Sequence, residues 1–163
     1  MASKNEATAA IRDGIARVEG AFGNLTDAQL ATTVHSGENG WTVRDMLAHL
    51  AGRERGYGLM FRLAESSGGA PPTGGFDVDA WNKARIAERA DKGRDELLTE
   101  MRTVHESLIA RIDALSEEDM QREIQSIRGI TPLGELMRLS GGVHSTNHAL
   151  EVEQVLGLAT SQA

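Results

Sequence analysis

Apolar residues recur along most of this chain at intervals of three and four, the spacing that lines one face of an α-helix. Ile11, Ile15, Val18 and Phe22 mark such a face on a first helix over about residues 5–22. Thr26, followed three residues later by Gln29, has the form of a capping box for a short extra turn. The Gly and Asn content of "HSGENG" (35–40) predicts a loop. A second helix starts at Thr42, where "TVRD" sets Asp45 at the third helical position. Val43, Met46, Leu47, Leu50, Tyr57 and Phe61 give its buried face. "ESSGGAPPTGG" (65–75) is the strongest break in the chain, and its length suits either a crossover connection or a lid over a site.

A third helical region runs from Asp79 to about Leu115, with an interruption near "ADKGRD". Ser116 and Asp119 mark another short turn. The last helix begins at "TPLGEL" and reaches about Leu156, with Thr131 as its cap. Pro132 then takes the first helical position, where no amide hydrogen is needed. "REIQSIRGI" (122–130) is the one stretch of extended character, and it is too short to build a sheet. The pattern predicts an all-α protein: an up-and-down four-helix bundle with long crossover loops, forming one domain over residues 1–163.

Composition narrows the chemistry. An aromatic share of 4% leaves the core to Leu, Ala, Val, Ile and Met. The absence of cysteine removes disulfides, thiolate nucleophiles and Cys-based zinc sites, so any metal is held by His and carboxylate. A net charge of −7, with no run of Lys and Arg to offset it, argues against nucleic acid as a partner. The start, "MASKNEATAAIRDG", lacks the apolar run of a signal peptide. No stretch approaches the ~18–20 apolar residues of a membrane span. The expectation is a cytoplasmic protein with no membrane partner.

The candidate chemistry lies in "GGVHSTNHALEVEQV" (141–155). His144 and His148 are one turn apart and share a helix face. Leu136, Ser140, His144, His148, Glu151 and Val155 read as one stripe, which predicts that the pair faces the bundle interior. Gly141 and Gly142 each cost about 1 kcal/mol against Ala inside a helix, a cost offset by a close helix contact or by room for a ligand. Two neutral imidazoles inside a bundle need hydrogen-bond partners or a metal, and the spacing alone fits both. Of the remaining histidines, His35 falls in the Gly-rich loop and His105, in "RTVHESL", reads as partly exposed. His49 lies one turn after Asp45, beside Met46 and Leu50. A histidine from the second helix and a pair from the last can converge in the core, and three protein ligands leave the open position of a catalytic zinc site. No histidine follows a Glu by three residues, as di-iron bundles require, and Ser145 stands where the zinc-protease motif has Glu.

"WTVRDMLAHLAGRE" (41–54) resembles the W-[ST]-x-x-D-x-L-x-H-L segment that opens helix two in the DinB/YfiT-like superfamily. "VDAWNKARIAERAD" (78–91) resembles the segment after the first crossover in the N-terminal domain of mycothiol-dependent maleylpyruvate isomerases. With the histidine pair near the C-terminus, the resemblance covers about residues 5–157. It implies a four-helix bundle holding a divalent metal, zinc most often, with nickel or iron as alternatives. The implied ligands are His49, His144 and His148. In the isomerase the first ligand on the last helix is a carboxylate; an all-histidine set is similar to the bacillithiol-transferase members. The isomerase also carries a further C-terminal domain, whereas this chain ends at Ala163, so a different reaction is expected.

The resemblance further implies a low-molecular-weight thiol as cosubstrate and an S-transferase or isomerase acting on a small electrophile. A metal that deprotonates a coordinating thiol would suit a chain with no cysteine of its own. Two rival readings are a metal-hydroxide hydrolase or lyase serving self-protection or detoxification, and a non-catalytic metal-binding stress protein. Asp45 and Glu151 are placed to accept the ligands' second N–H, or else to serve as cap and surface carboxylates. Arg53, Arg85 and Asn82 are candidates for binding substrate, and Trp41 either lines the pocket with Asn82 or anchors the start of helix two. The expected partners are a small molecule and a thiol, without nucleic acid; a homodimer through exposed helix faces is compatible with such a bundle.

Overall fold

The computed structural model describes residues 2–34, 40–65, 77–126 and 129–158. Helix α1 (Lys4–Phe22) opens with a capping box in which Ser3 and Glu6 satisfy each other's amides. The same local device opens α2 (Asp27–Leu30) through Thr26 and Gln29, and α3 (Val43–Ala51) through Thr42 and Asp45. It opens α7 (Glu117–Met120) through Ser116 and Asp119. Where sequence predicts one long second helix, the structure has two. Helix α3 ends at Gly52, and α4 (Glu54–Glu65) follows after a tight turn. A Cβ on Gly52 would come within 3.2 Å of Arg85 and Arg89, so the break lies where α5 (Val78–Ala87) presses on the chain. Helix α6 (Arg94–Asp113) follows the interruption expected near "ADKGRD".

The stretch 122–130 does extend, because it pairs with the residues after it. Strands β1 (Glu123–Ser126) and β2 (Gly129–Pro132) form an antiparallel hairpin with Ile124 opposite Thr131. Thr131 is therefore a strand residue and not a cap. Pro132 takes the cap position in extended geometry, and α8 (Leu133–Met137) begins one residue later than expected. Helix α8 runs into a π-helical segment, Arg138–Val143, and then into α9 (His144–Leu156). Gly157, at φ 62°, closes α9 in the left-handed conformation that glycine adopts without strain.

Four rods make the all-α bundle: α1, α3 with α4, α6, and the run from α8 through α9. Helix α1 lies against the π segment, α9 and α6, while α3 lies against α6 and α5. Ile11, Phe22, Leu47, Leu97 and Ile112 are fully buried between them. Among the described residues, no helix is long and apolar enough to cross a membrane. The loop with His35 (35–39) and nearly all of the Gly/Pro-rich segment (66–76) lie outside the described residues.

Candidate metal centre

The two glycines before His144 are there for a helix contact. A Cβ on Gly142 would sit 2.6 Å from the carbonyl carbon and oxygen of Ala10, and one on Gly141 would sit 2.9 Å from Ile11 and Leu108. Gly14 faces back across the crossing, with Gly142 O 3.0 Å from where its Cβ would be. In the π segment the His144 N–H reaches back five residues to Leu139 O, which puts one more residue in that turn. The buried face therefore passes from Ser140 to Ser145, Ala149 and Val152. This corrects the predicted stripe: His144 and His148 are half-buried on the shoulder of α9, and Val155 is exposed.

That shoulder faces His49, which is buried in the last turn of α3. His49 Nε2 lies 2.9 Å from His144 Nε2. Ring centres are 5.3 Å apart for His49 and His148, and 4.4 Å apart for His144 and His148. One ring nitrogen from each of the three lies within 4.8 Å of the other two. Trp41, its ring 5.0 Å from that of His49, walls one side. Burial pushes the His49 pKa well below the usual imidazole value, and the Arg53 charge adds to that effect. His49 is thus a neutral imidazole, the form in which histidine ligates.

Glu151 Oε2 stands 2.7 Å from His148 Nδ1. A carboxylate accepts, so Nδ1 carries a proton, and in the neutral ring the lone pair is on Nε2. A tetrahedral ion bonded at about 2.0–2.1 Å asks for ligand nitrogens about 3.3 Å apart, within the range these rings span. The residues present fit a divalent metal.

The remaining candidates divide. Arg53 is at the site: its charge acts on His49, its Nη2 donates to Ser140 O at 3.3 Å, and its guanidinium lies 5.2 Å from the Tyr57 ring centre. Asp45 is a cap, its Oδ2 accepting from Thr42 N at 3.0 Å and Thr42 Oγ1 at 2.9 Å. Arg85 stacks on Trp81 at 4.9 Å and pairs with Glu88 at 2.6 Å, bracing α5. Asn82, half-buried on α5, makes no described contact with the three rings.

Sequence reasoning missed His105. It is fully buried, its Nδ1 donates to Met101 O at 2.8 Å, and burial pushes its pKa down to about 4. The signal was its register on α6, since Leu97, Met101, Leu108 and Ile112 place His105 on the same apolar face.

The sequence pattern of the DinB superfamily matches residues 10–152. Among solved structures, YfiT from Bacillus subtilis, described as a probable metal-dependent hydrolase with an unusual four-helix bundle topology, is 22% identical. Its TM-score is 0.72, over 96% of this chain and 89% of that one. The colibactin self-resistance protein ClbS, in complex with a dsDNA, is 15% identical with a TM-score of 0.74, over 98% of each chain. The mycothiol-dependent maleylpyruvate isomerase is 16% identical with a TM-score of 0.66, over 98% of this chain and 62% of that one. At such identities these likenesses show the fold. No curated protein matches the chain by sequence.

The ClbS complex overturns the exclusion of nucleic acid drawn above from net charge. Net charge is a sum over the whole surface, while a duplex meets only a local field. A total of −7 therefore cannot exclude such a partner for a bundle of this fold.

Proposed function

Because this chain belongs to the DinB superfamily, we propose that His49, His144 and His148 hold one divalent metal ion, zinc first, with nickel or iron as alternatives, in an enzyme that transforms a small molecule. The observation that carries this reading is the set of three ring nitrogens lying within 4.8 Å of one another. A divalent metal supplies a Lewis acid at that point, lowering the pKa of a coordinating thiol or water. The chain's own groups prepare the position. Glu151 holds the proton on His148 Nδ1, and the buried surroundings of His49 keep it neutral. Trp41 covers one side of the His49 ring. Arg53 offers a guanidinium suited to a carboxylate on substrate or cosubstrate, with Arg85 and Asn82 farther out on α5.

The reaction we favour is thiol-dependent transfer to, or isomerisation of, a small electrophile, with a low-molecular-weight thiol as cosubstrate and the whole chain acting as one domain. A chain with no cysteine obtains its sulfur nucleophile this way. A hydrolytic reading has one observation of its own, the description of YfiT as a probable metal-dependent hydrolase. An assay of the zinc-loaded protein on a chloronitrobenzene and on a nitrophenyl ester, with and without thiol, separates the two. The expected result is thiol-dependent turnover that disappears in His148→Ala. Turnover that needs no thiol selects the hydrolase, and no turnover on either probe, with metal bound, contradicts the enzymatic reading.

A further inference from the structure

Beneath the three histidines the core holds a second polar cluster that the proposed chemistry leaves unused. Tyr57 on α4, His105 on α6 and Ser145 on α9 are 3%, 0% and 0% exposed, so no substrate reaches them. A carbonyl only accepts, so the bond from His105 Nδ1 to Met101 O fixes the proton on Nδ1 and leaves Nε2 as a lone pair. Two hydroxyls converge on that lone pair, Tyr57 Oη at 3.1 Å and Ser145 Oγ at 3.1 Å. The same hydroxyls reach two successive main-chain carbonyls of the π segment. Tyr57 Oη donates to Ser140 O at 3.2 Å, and Ser145 Oγ donates to Gly141 O at 2.8 Å. Each hydroxyl has one proton, so the two are shared among three acceptors, the two carbonyls and His105 Nε2, in one network spanning three helices and the π turn.

A π turn is rarer than the α turn it replaces and is frequently found at functional sites. This one ends at His144, whose N–H closes it on Leu139 O. If the segment relaxed to α geometry, residues beyond it would rotate by about 100° per residue lost. His144 and His148 would then turn away from His49. We propose that Tyr57, His105 and Ser145 are positioning residues for the metal centre, a buried brace that holds the π turn and so sets His144 and His148 against His49. The inference rests on the metal-binding reading of those three histidines.

Tyr57→Phe and Ser145→Ala each delete one hydroxyl and keep nearly the same core shape; His105→Leu removes the hub. Three readouts test the brace: amide hydrogen exchange across residues 139–145 in metal-free protein, zinc affinity by chelator competition, and the visible spectrum of the cobalt-loaded protein. The brace predicts faster exchange across the π turn, zinc affinity lower by about 10-fold and an altered cobalt spectrum. Helix content is expected to persist in the two hydroxyl deletions. Ile112→Val, a buried change elsewhere on α6, serves as the stability control and is expected to keep wild-type affinity and spectrum. Wild-type exchange, affinity and spectrum in both Tyr57→Phe and Ser145→Ala would overturn the inference, whether or not His105→Leu folds. If the wild type binds no zinc or cobalt, the metal reading fails by itself, and unchanged exchange across 139–145 then overturns the brace separately.

Discussion

Two of the three imidazoles of the candidate centre are prepared for ligation by their neighbours. His148 has its Nδ1 proton anchored by Glu151, and His49 is kept neutral by burial. Replacing Glu151 by Gln leaves a neutral acceptor where a carboxylate stood, and metal affinity measured against a chromophoric chelator is expected to drop about 10-fold. Asp45→Ala is the informative contrast. It costs helix α3 about 1 kcal/mol of capping and leaves metal affinity unchanged, because its carboxylate serves Thr42. His105 makes a prediction about pH. Its folded pKa of about 4 lies below the unfolded value of 6.5. Above pH 6.5 both states are neutral and the group contributes nothing. Between pH 6.5 and about 4 only the unfolded state takes up the proton, so stability falls with falling pH. Urea titrations of metal-free protein are expected to show a loss of about 2 kcal/mol from pH 7 to pH 5 from this group alone. His49, shifted in the same direction, adds to it. A flat profile would contradict the neutral, buried placement of both rings. Sequence showed the His144–His148 pair and Glu151 because helix spacing is local information. The register of α6 carried the burial of His105, but not its partners Tyr57 and Ser145, which lie 48 and 40 residues away.

Most elements were readable from local chemistry, and the exceptions share a cause. Capping boxes at Ser116, Thr26 and Thr42 each lie within four residues, and each opens a helix where the sequence says it does. The π segment has no comparable local mark. Two of its carbonyls accept from side chains of α4 and α9, and its glycines answer to α1 and α6, so nothing within 138–143 announces the extra residue. The β-hairpin was obscured similarly, because its second strand ends in the Thr-Pro that reads as a helix start. The α1 crossing supplies the prediction at this scale. Gly142→Ala sets a Cβ 2.6 Å from the Ala10 backbone, which has no flexible end to move. We expect a loss of about 3 kcal/mol by urea denaturation. Gly56→Ala on α4, with nothing within 4 Å of the new carbon, is expected to gain about 1 kcal/mol. Equal effects at the two positions would refute the close contact between α1 and the π segment.

At the scale of the molecule, the candidate centre joins parts of the chain 95 residues apart, α3 and α9, across a bundle with one continuous apolar core. Fold and family were legible because the order and spacing of "WTVRDMLAHL" and the later histidine pair extend over most of the chain. The reaction was not, because the neighbours of a side chain such as Arg53, the Ser140 carbonyl and the Tyr57 ring, are supplied only by the fold. Net charge misled for the opposite reason: it averages away the local field that decides a charged partner. A metal that binds only the folded bundle stabilises all of it, by about 2.7 kcal/mol at a free concentration a hundred times the Kd. The most direct test is therefore metal content and thermal stability together, measured on protein purified without chelator and then titrated with zinc. About one zinc ion per wild-type chain is expected with a raised Tm, and loss of both effects in His49→Ala and in His148→Ala. Wild-type protein that holds no more zinc than those variants, or variants that bind and stabilise as the wild type does, would contradict the metal reading.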